Sequence, residues 1–580
     1  MPRHSLVLCL SFALIALAGV VPAHGADSPV ELEAPDSLRP LLVKHLDFLE
    51  RAPDEVLDAA GRVALMRRAR KEIREILATE GYFSPAIERQ DLDGERLRVV
   101  VTPGRRTTIS ALDLRFAGDV TGVDGDRPAR LASLQAAWGL PVGQPFRQAD
   151  WDAAKQRLLD ALATREYAAA SISDSRAVID PETASAQLEV EVDSGPVYRF
   201  GALQINGLSD YDAGLIERYR PPEVGEPYSQ ERLLRFQTAL QNTSYFASVV
   251  VDIDRSTATP EAVPVRVDVI EAKPRRIGFG AGISSNTGYR VETSYRDAHF
   301  LGQPWNLVSG VRVEQRRQLG YADVFLPPSV AGYLDSVGVL AEHTNISGLQ
   351  TQRQSIGVVR TIPRGSMENR LALNYQHEIL TPEGSLRSSR SALTANWSWT
   401  YRAVDNILDP RHGQVVNFQL GGASRAFLSD RNFVRLYGRY QHFFPMAERD
   451  VLILRAEGGM TIAASRDGVP QDFLFRTGGA QTVRGYAYQS LGVTDGSATV
   501  GGRYLAVTSA EYVHWYGGNW GIAAFVDAGN ANDQRELFKM NFGYGFGPRW
   551  RSPAGPIAVD LAYGQSDHRV RLQFAVAIAF

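Results

Sequence analysis

"RVRLQFAVAIAF", residues 569–580, alternates without a break: Val570, Leu572, Phe574, Val576, Ile578 and Phe580 fall on one face of a strand, and Arg569, Arg571, Gln573, Ala575, Ala577 and Ala579 on the other. The termini of soluble domains are normally polar and frayed. A last strand this apolar is expected instead to close a barrel, because a sheet in lipid can leave no unpaired edge. The same two-residue period runs through "IAVDLAYG" (557–564), where Ile557, Val559, Leu561 and Tyr563 oppose Ala558, Asp560, Ala562 and Gly564. In "FGYGFGPRW" (542–550), Phe542, Tyr544 and Phe546 alternate with glycines, and in "ALTANWSWTY" (392–401) Leu393, Trp397, Trp399 and Tyr401 oppose Thr394, Asn396, Ser398 and Thr400. Soluble sandwiches also alternate, so the composition of the faces decides. Asp560 and Arg549 share a face with Gly and Ala, as in a hydrated lumen, while aromatics take the face expected to meet lipid.

Strand-like runs of this kind begin near Pro274 and number sixteen by residue 580, which predicts an all-β transmembrane barrel of about 16 antiparallel strands over 274–580. No apolar run of about 18 residues follows the N-terminus, so a spanning helix is not expected. The N-terminus itself, "MPRHSLVLCLSFALIALAGVVPAHGADS", has Arg3 and His4, a short apolar run and small residues at Ala23, Gly25 and Ala26: the parts of a secretory signal peptide over 1–26. Its Cys9 is the chain's one cysteine, so a disulfide framework and cysteine metal sites are excluded after cleavage. A formal charge of −3 offers no bulk attraction to nucleic acid.

Between the leader and the barrel the pattern alternates helix and strand, and it repeats. Tyr82, Tyr167 and Tyr245, 85 and 78 residues apart, each open a hairpin that returns as "LRVVV", "LEVEV" or "VRVDV". Helical stretches precede the hairpins, as in "DWDAAKQRLLDALATR" and "SQERLLRFQTALQNT", where Leu233, Phe236 and Leu240 share a face. A recurring order of this length predicts tandem α+β modules over 29–104, 105–195 and 196–273.

Modules ahead of a barrel that ends on phenylalanine resemble the BamA/TamA superfamily of outer-membrane assembly and secretion proteins, whose repeats are POTRA domains and whose barrel has sixteen strands. "TVRGYAYQ" is similar to that family's V/I-R-G-F/Y signature, here Val483, Arg484, Gly485 and Tyr486, on a loop that folds back into the barrel. "FVDAGN" resembles a second motif carrying an inward acid, here Asp527, and "NILDPRHG" (406–413) resembles a turn opening a mid-barrel strand. Gln573, Ile578 and the terminal Phe580 resemble the C-terminal assembly signal of such barrels, with Ala575 departing from the usual glycine. Three modules favour the TamA subfamily over BamA, with five, and two-partner secretion transporters, with two. The resemblance implies a cell outer-membrane barrel with a periplasmic array, unfolded outer-membrane or autotransporter-type substrates, membrane lipid at the wall, and an inner-membrane-anchored, periplasm-spanning partner of the TamB type.

Arg484 lies in an apparent loop of almost forty residues, too long to be idle in a compact barrel. In "GIAAFVDAG", alternation sends Phe525 and Asp527 to the lumen, where a tucked loop would bring Arg484 to the carboxylate and Gly485 would allow close backbone approach. The seam is expected between the first candidate strand, with Ile277, Gly278, Gly280 and Gly282, and the last, with Phe574 and Ala575; its glycines weaken strand packing. No spacing of the ten histidines suits a metal or a hydrolytic triad, and the resemblance implies a non-enzymatic assembly and translocation protein without a cofactor. A two-partner secretion transporter or a passive porin-like channel is the competing expectation.

Overall fold

A computed structural model describes residues 30–49, 58–92, 96–123, 126–255, 259–552 and 555–576. The expected leader, Ile578 and Phe580 lie outside the described residues. Two compact units are present: residues 1–201 with 224–231 and 254–263, and residues 202–223, 232–253 and 264–580.

The first unit holds two three-stranded sheets, each built β-α-α-β-β, with the first strand added parallel to the last. In the first, helix Ala59–Thr79 starts at Asp58, whose carboxylate accepts from the Gly61 amide at 2.6 Å. Leu65, Ala69, Ile73 and Leu77, four residues apart, form a buried stripe that meets Leu97, Val99 and Val101 of strand Arg96–Thr102. The second sheet repeats this with Trp151, Ala154, Leu158 and Leu162 of helix Gln148–Ala163 against Leu188, Val190 and Val192 of strand Ser185–Asp193. Trp138 meets Trp151 edge-on, with ring centroids 5.6 Å apart. Arg147 joins the two modules through a fork to Glu80, at 2.9 and 3.0 Å.

Strands Phe200–Asn206, Val263–Glu271 and Phe246–Ile253, most of whose residues belong to the second unit, form a third sheet in that spatial order, and helix Gln230–Gln241 buries Leu233, Phe236 and Leu240. This module grips two barrel turns. The Tyr245 hydroxyl donates to the Pro304 carbonyl at 2.8 Å and that of Tyr211 to Ala298 at 3.3 Å, while Arg218 and Arg220 donate to Pro328 and Ala331 at 3.4 and 2.6 Å. Burial pushes the Tyr245 phenol up to about 12, so it stays a neutral donor at physiological pH.

The barrel is a sixteen-stranded sheet from Arg275–Ser284 to Arg569–Val576, each strand antiparallel to its chain neighbour. Alternation decides what each face meets. Phe542, Tyr544, Phe546, Leu561, Val570, Leu572 and Phe574 stand exposed outside, whereas Thr394, Thr400, Arg549, Asp560 and Gln573 are buried inside. Among the described residues no helix is long and apolar enough to cross a membrane.

Over the described residues, which end at 576, the ladder does not close on itself. No backbone pair joins the first strand to the last among the described residues. The Ser285 hydroxyl bridges the gap, accepting from the Phe574 amide at 3.2 Å and donating to its carbonyl at 3.3 Å. Between strands Asp450–Ile462 and Tyr504–Gly517, residues 463–503 leave the wall. Within this segment a two-stranded hairpin, Val493–Asp495 with Ala498–Val500, packs Ala498 and Val500 on Leu349 and Leu380 of the wall.

Candidate functional site: an arginine loop held in the lumen

The loop is anchored first by apolar contact. Val483 and Tyr486 are buried with Phe475 against Leu505, Val507 and Ala531 of the wall. Between them Gly485 has φ +90°, and a Cβ there would stand 2.6 Å from the Gly564 amide nitrogen, so only glycine allows this approach. The Tyr486 hydroxyl donates to the Phe542 carbonyl at 2.9 Å and accepts from the Ser566 amide at 3.0 Å, which fixes the far side of the turn.

Arg484 therefore points into the wall. Its Nε and Nη2 form a fork to the two Asp527 carboxylate oxygens at 2.7 and 2.9 Å, and its backbone amide also donates to Asp527, at 3.0 Å. Nη1 reaches Glu511 at 2.5 Å and Asp560 at 3.3 Å. Ser509 donates to Asp527 at 2.6 Å, and the guanidinium carbon sits 3.4 Å from the ring centroid of Phe525. A second guanidinium completes the cluster: Arg549 donates to Glu511 at 2.8 and 3.0 Å and to Asp560 at 2.6 Å. Asp527 is fully buried, and Arg484 and Arg549 are 5% and 3% exposed. Two arginines against three carboxylates leave a formal charge of −1, with every member hydrogen-bonded to an opposite charge.

The last strand holds the same loop. Gln573 accepts from the Gly485 amide at 3.1 Å and donates to the Tyr486 carbonyl at 2.9 Å, while Arg571 donates to the Gly485 carbonyl. A side chain expected to serve as an assembly signal is thus a clasp between the final strand and the loop. Glu511 and Ser509 were not expected in the site; both lie on strand Tyr504–Gly517, which faces Asp527 across a register that pairs Ser509 with Asp527.

The expected seam residues flank the gap. Ile277 is exposed on the outer face, Gly278, Gly280 and Gly282 alternate inward, Phe574 is exposed outside, and Ala575 pairs with Ala558 of the preceding strand. The expected mid-barrel turn precedes strand Gly413–Ala423. There the Asp405 carboxylate accepts from the Asn406, Arg411 and His412 amides at 3.0 to 3.1 Å; burial pushes its carboxyl up, and the backbone donors together outweigh that and hold it below the usual carboxylate range.

The described residues thus form a sixteen-stranded barrel whose lumen holds an arginine-anchored loop, preceded by β-α-α-β-β modules. The chain belongs to the Omp85 superfamily, whose domain model matches residues 273–580. It is 28% identical over 364 residues to the outer membrane protein assembly factor BamA of Nitratidesulfovibrio vulgaris, an alignment covering 59% of this chain and 45% of that relative. It thus spans less than half the length of the curated relative it matches. The crystal structure of BamA from Haemophilus ducreyi lacking POTRA domains 1–3 superposes with a TM-score of 0.66 at 17% identity, over 80% of this chain and 98% of that one, a likeness of fold.

Proposed function

We propose that the chain inserts or exports unfolded outer-membrane and autotransporter-type proteins at the outer membrane, without enzymatic chemistry, in the manner of the TamA subfamily. The observation that carries this is the seam: among the described residues one serine hydroxyl spans the gap where fifteen neighbouring strand pairs have backbone ladders. Each ladder hydrogen bond contributes about 0.5–1.5 kcal/mol, so the seam parts at far lower cost than any other place in the wall. An entering substrate strand would pair with the exposed backbone of the first or last strand.

The modules supply further edges. In each sheet the second strand of the chain order lies at an edge: Ala86–Leu92, Ser171–Asp180 and Phe246–Ile253. A substrate segment adding there by β-augmentation would be handed toward the barrel turns that the third module grips. A loop anchored inside the barrel through Val483, Tyr486 and Arg484 speaks against an unobstructed porin. The relative's name, an outer membrane protein assembly factor, points the same way. We place the chain in the outer membrane with its modules in the periplasm, where an inner-membrane-anchored partner of the TamB type would dock.

The test is insertion by the purified full chain in vesicles. An unfolded autotransporter barrel should fold into vesicles carrying the protein faster than into empty ones, and crosslinked native envelopes should yield a periplasm-spanning partner. Equal folding rates with and without the protein would refute the proposal.

A further inference from the structure

The outer wall carries a built groove that ends in a charged pair. Direct register aligns Val337, Val358, Leu373, Ala395, Gly422 and Val434 in one row across six strands, and their larger members stand exposed outside. Ala395 and Gly422 make the floor, and Trp397, Leu420 and Phe427 rise beside it. The adjacent row on the same face runs Leu420, Trp397, Leu371, Arg360, Asp335. Arg360 and Asp335 therefore face outward with the apolar residues, joined by a fork at 2.8 and 2.9 Å, with the guanidinium 5.3 Å over the Tyr333 ring.

Position explains how such a pair survives on this face. Asp335 is the second residue of strand Leu334–Ile346, next to the turn that accepts Arg218 and Arg220 of the third module. Val434 is the second residue of strand Phe433–Ala447, which enters the wall from the opposite end. The row climbs between them. The charged pair therefore sits at the end of the groove nearest the third module, where strand ends meet the headgroup region.

We propose that this groove binds one glycerophospholipid with an amine headgroup, phosphatidylethanolamine in chemical class, its acyl chain over Ala395 and Gly422. The fork uses two of the five N–H donors of Arg360 and leaves carboxylate lone pairs on Asp335. A phosphate fits the guanidinium and an ammonium fits the carboxylate, so a headgroup bearing both charges matches a pair that is itself neutral. The site rests on the reading that this wall faces lipid.

The test is native mass spectrometry of the full chain, folded in detergent and titrated with phosphatidylethanolamine, phosphatidylcholine or phosphatidylglycerol. The wild type should retain one phosphatidylethanolamine preferentially. Retention should fall about tenfold, equivalent to 1.4 kcal/mol, in Arg360→Gln/Asp335→Asn and also in Ala395→Phe, which fills the floor without touching the pair. Heat-modifiable migration establishes that each variant keeps its barrel. Undiminished retention in either variant, or equal retention of phosphatidylglycerol, would overturn the assignment. Binding is read without an insertion assay, so failure of the proposed function and failure of this site are separate results.

Discussion

Removing Arg484 should damage the lumen cluster more than removing its principal partner, and charge counting says why. Arg484 and Arg549 face Glu511, Asp527 and Asp560, a formal −1. Arg484→Ala leaves one guanidinium among three carboxylates, a formal −2, two of them with almost no solvent exposure. Breaking a buried pair this way costs about 3–5 kcal/mol. Asp527→Asn leaves two guanidiniums with two carboxylates, a formal 0, and its amide oxygen still accepts one bond, so the loss should be about 1–3 kcal/mol. Adding Asp527→Asn to Arg484→Ala returns the count to −1. The double variant should then be no worse than Arg484→Ala alone, with a coupling of about 0.5–3 kcal/mol. Arg484→Lys should fall between, because an ammonium keeps the charge but cannot bond Asp527 and Glu511 in the fork geometry seen here. The assay is thermal loss of heat-modifiable barrel, with protease cleavage within 463–503 as a second readout. Strict additivity, or an Asp527→Asn variant weaker than Arg484→Ala, would refute this reasoning.

Three further outcomes follow from the same geometry. Gly485→Ala should release the loop to protease with the strand pairing intact, because φ +90° and the Gly564 backbone both oppose a Cβ. Gln573→Ala should loosen the loop by about 1–3 kcal/mol, since the Gly485 amide and Tyr486 carbonyl each lose a buried partner. Leu158→Ala should destabilise the second module by about 2–5 kcal/mol, measured by protease sensitivity of residues 105–195, and leave barrel migration unchanged.

The barrel was legible because large apolar residues recur at alternate positions on most of its outer face, and lipid alone explains them. Strand Tyr504–Gly517 broke that rule. Its inward Leu505, Val507, Val513 and Trp515 are buried, while outward Tyr512 is exposed, so the lumen side is the greasier one. The cause is the loop, whose Phe475, Val483 and Tyr486 pack on Leu505 and Val507 and give the lumen a dry core there. Glu511 and Ser509 were hidden by this inversion, since a lone acid in such a strand carries no local signal of the arginines it will meet. Asp527 was reached through the resemblance of "FVDAGN" to a family motif, and the clean alternation of its neighbours placed it inward. Gln573 could be placed inward by alternation, but its two bonds to the loop depend on contacts 87 and 88 residues away in sequence.

The most direct measurement locks the seam. With Cys9→Ala removing the native thiol, Ser285→Cys and Phe574→Cys put one thiol on each side of the gap, at the two residues whose hydroxyl–backbone contacts now bridge it. Bridged by a short bifunctional reagent with a cleavable disulfide, the protein should keep its heat-modifiable barrel, lose substrate insertion into vesicles, and regain it on reduction. Full insertion activity in the bridged form would contradict a mechanism in which the wall opens between its first and last strands.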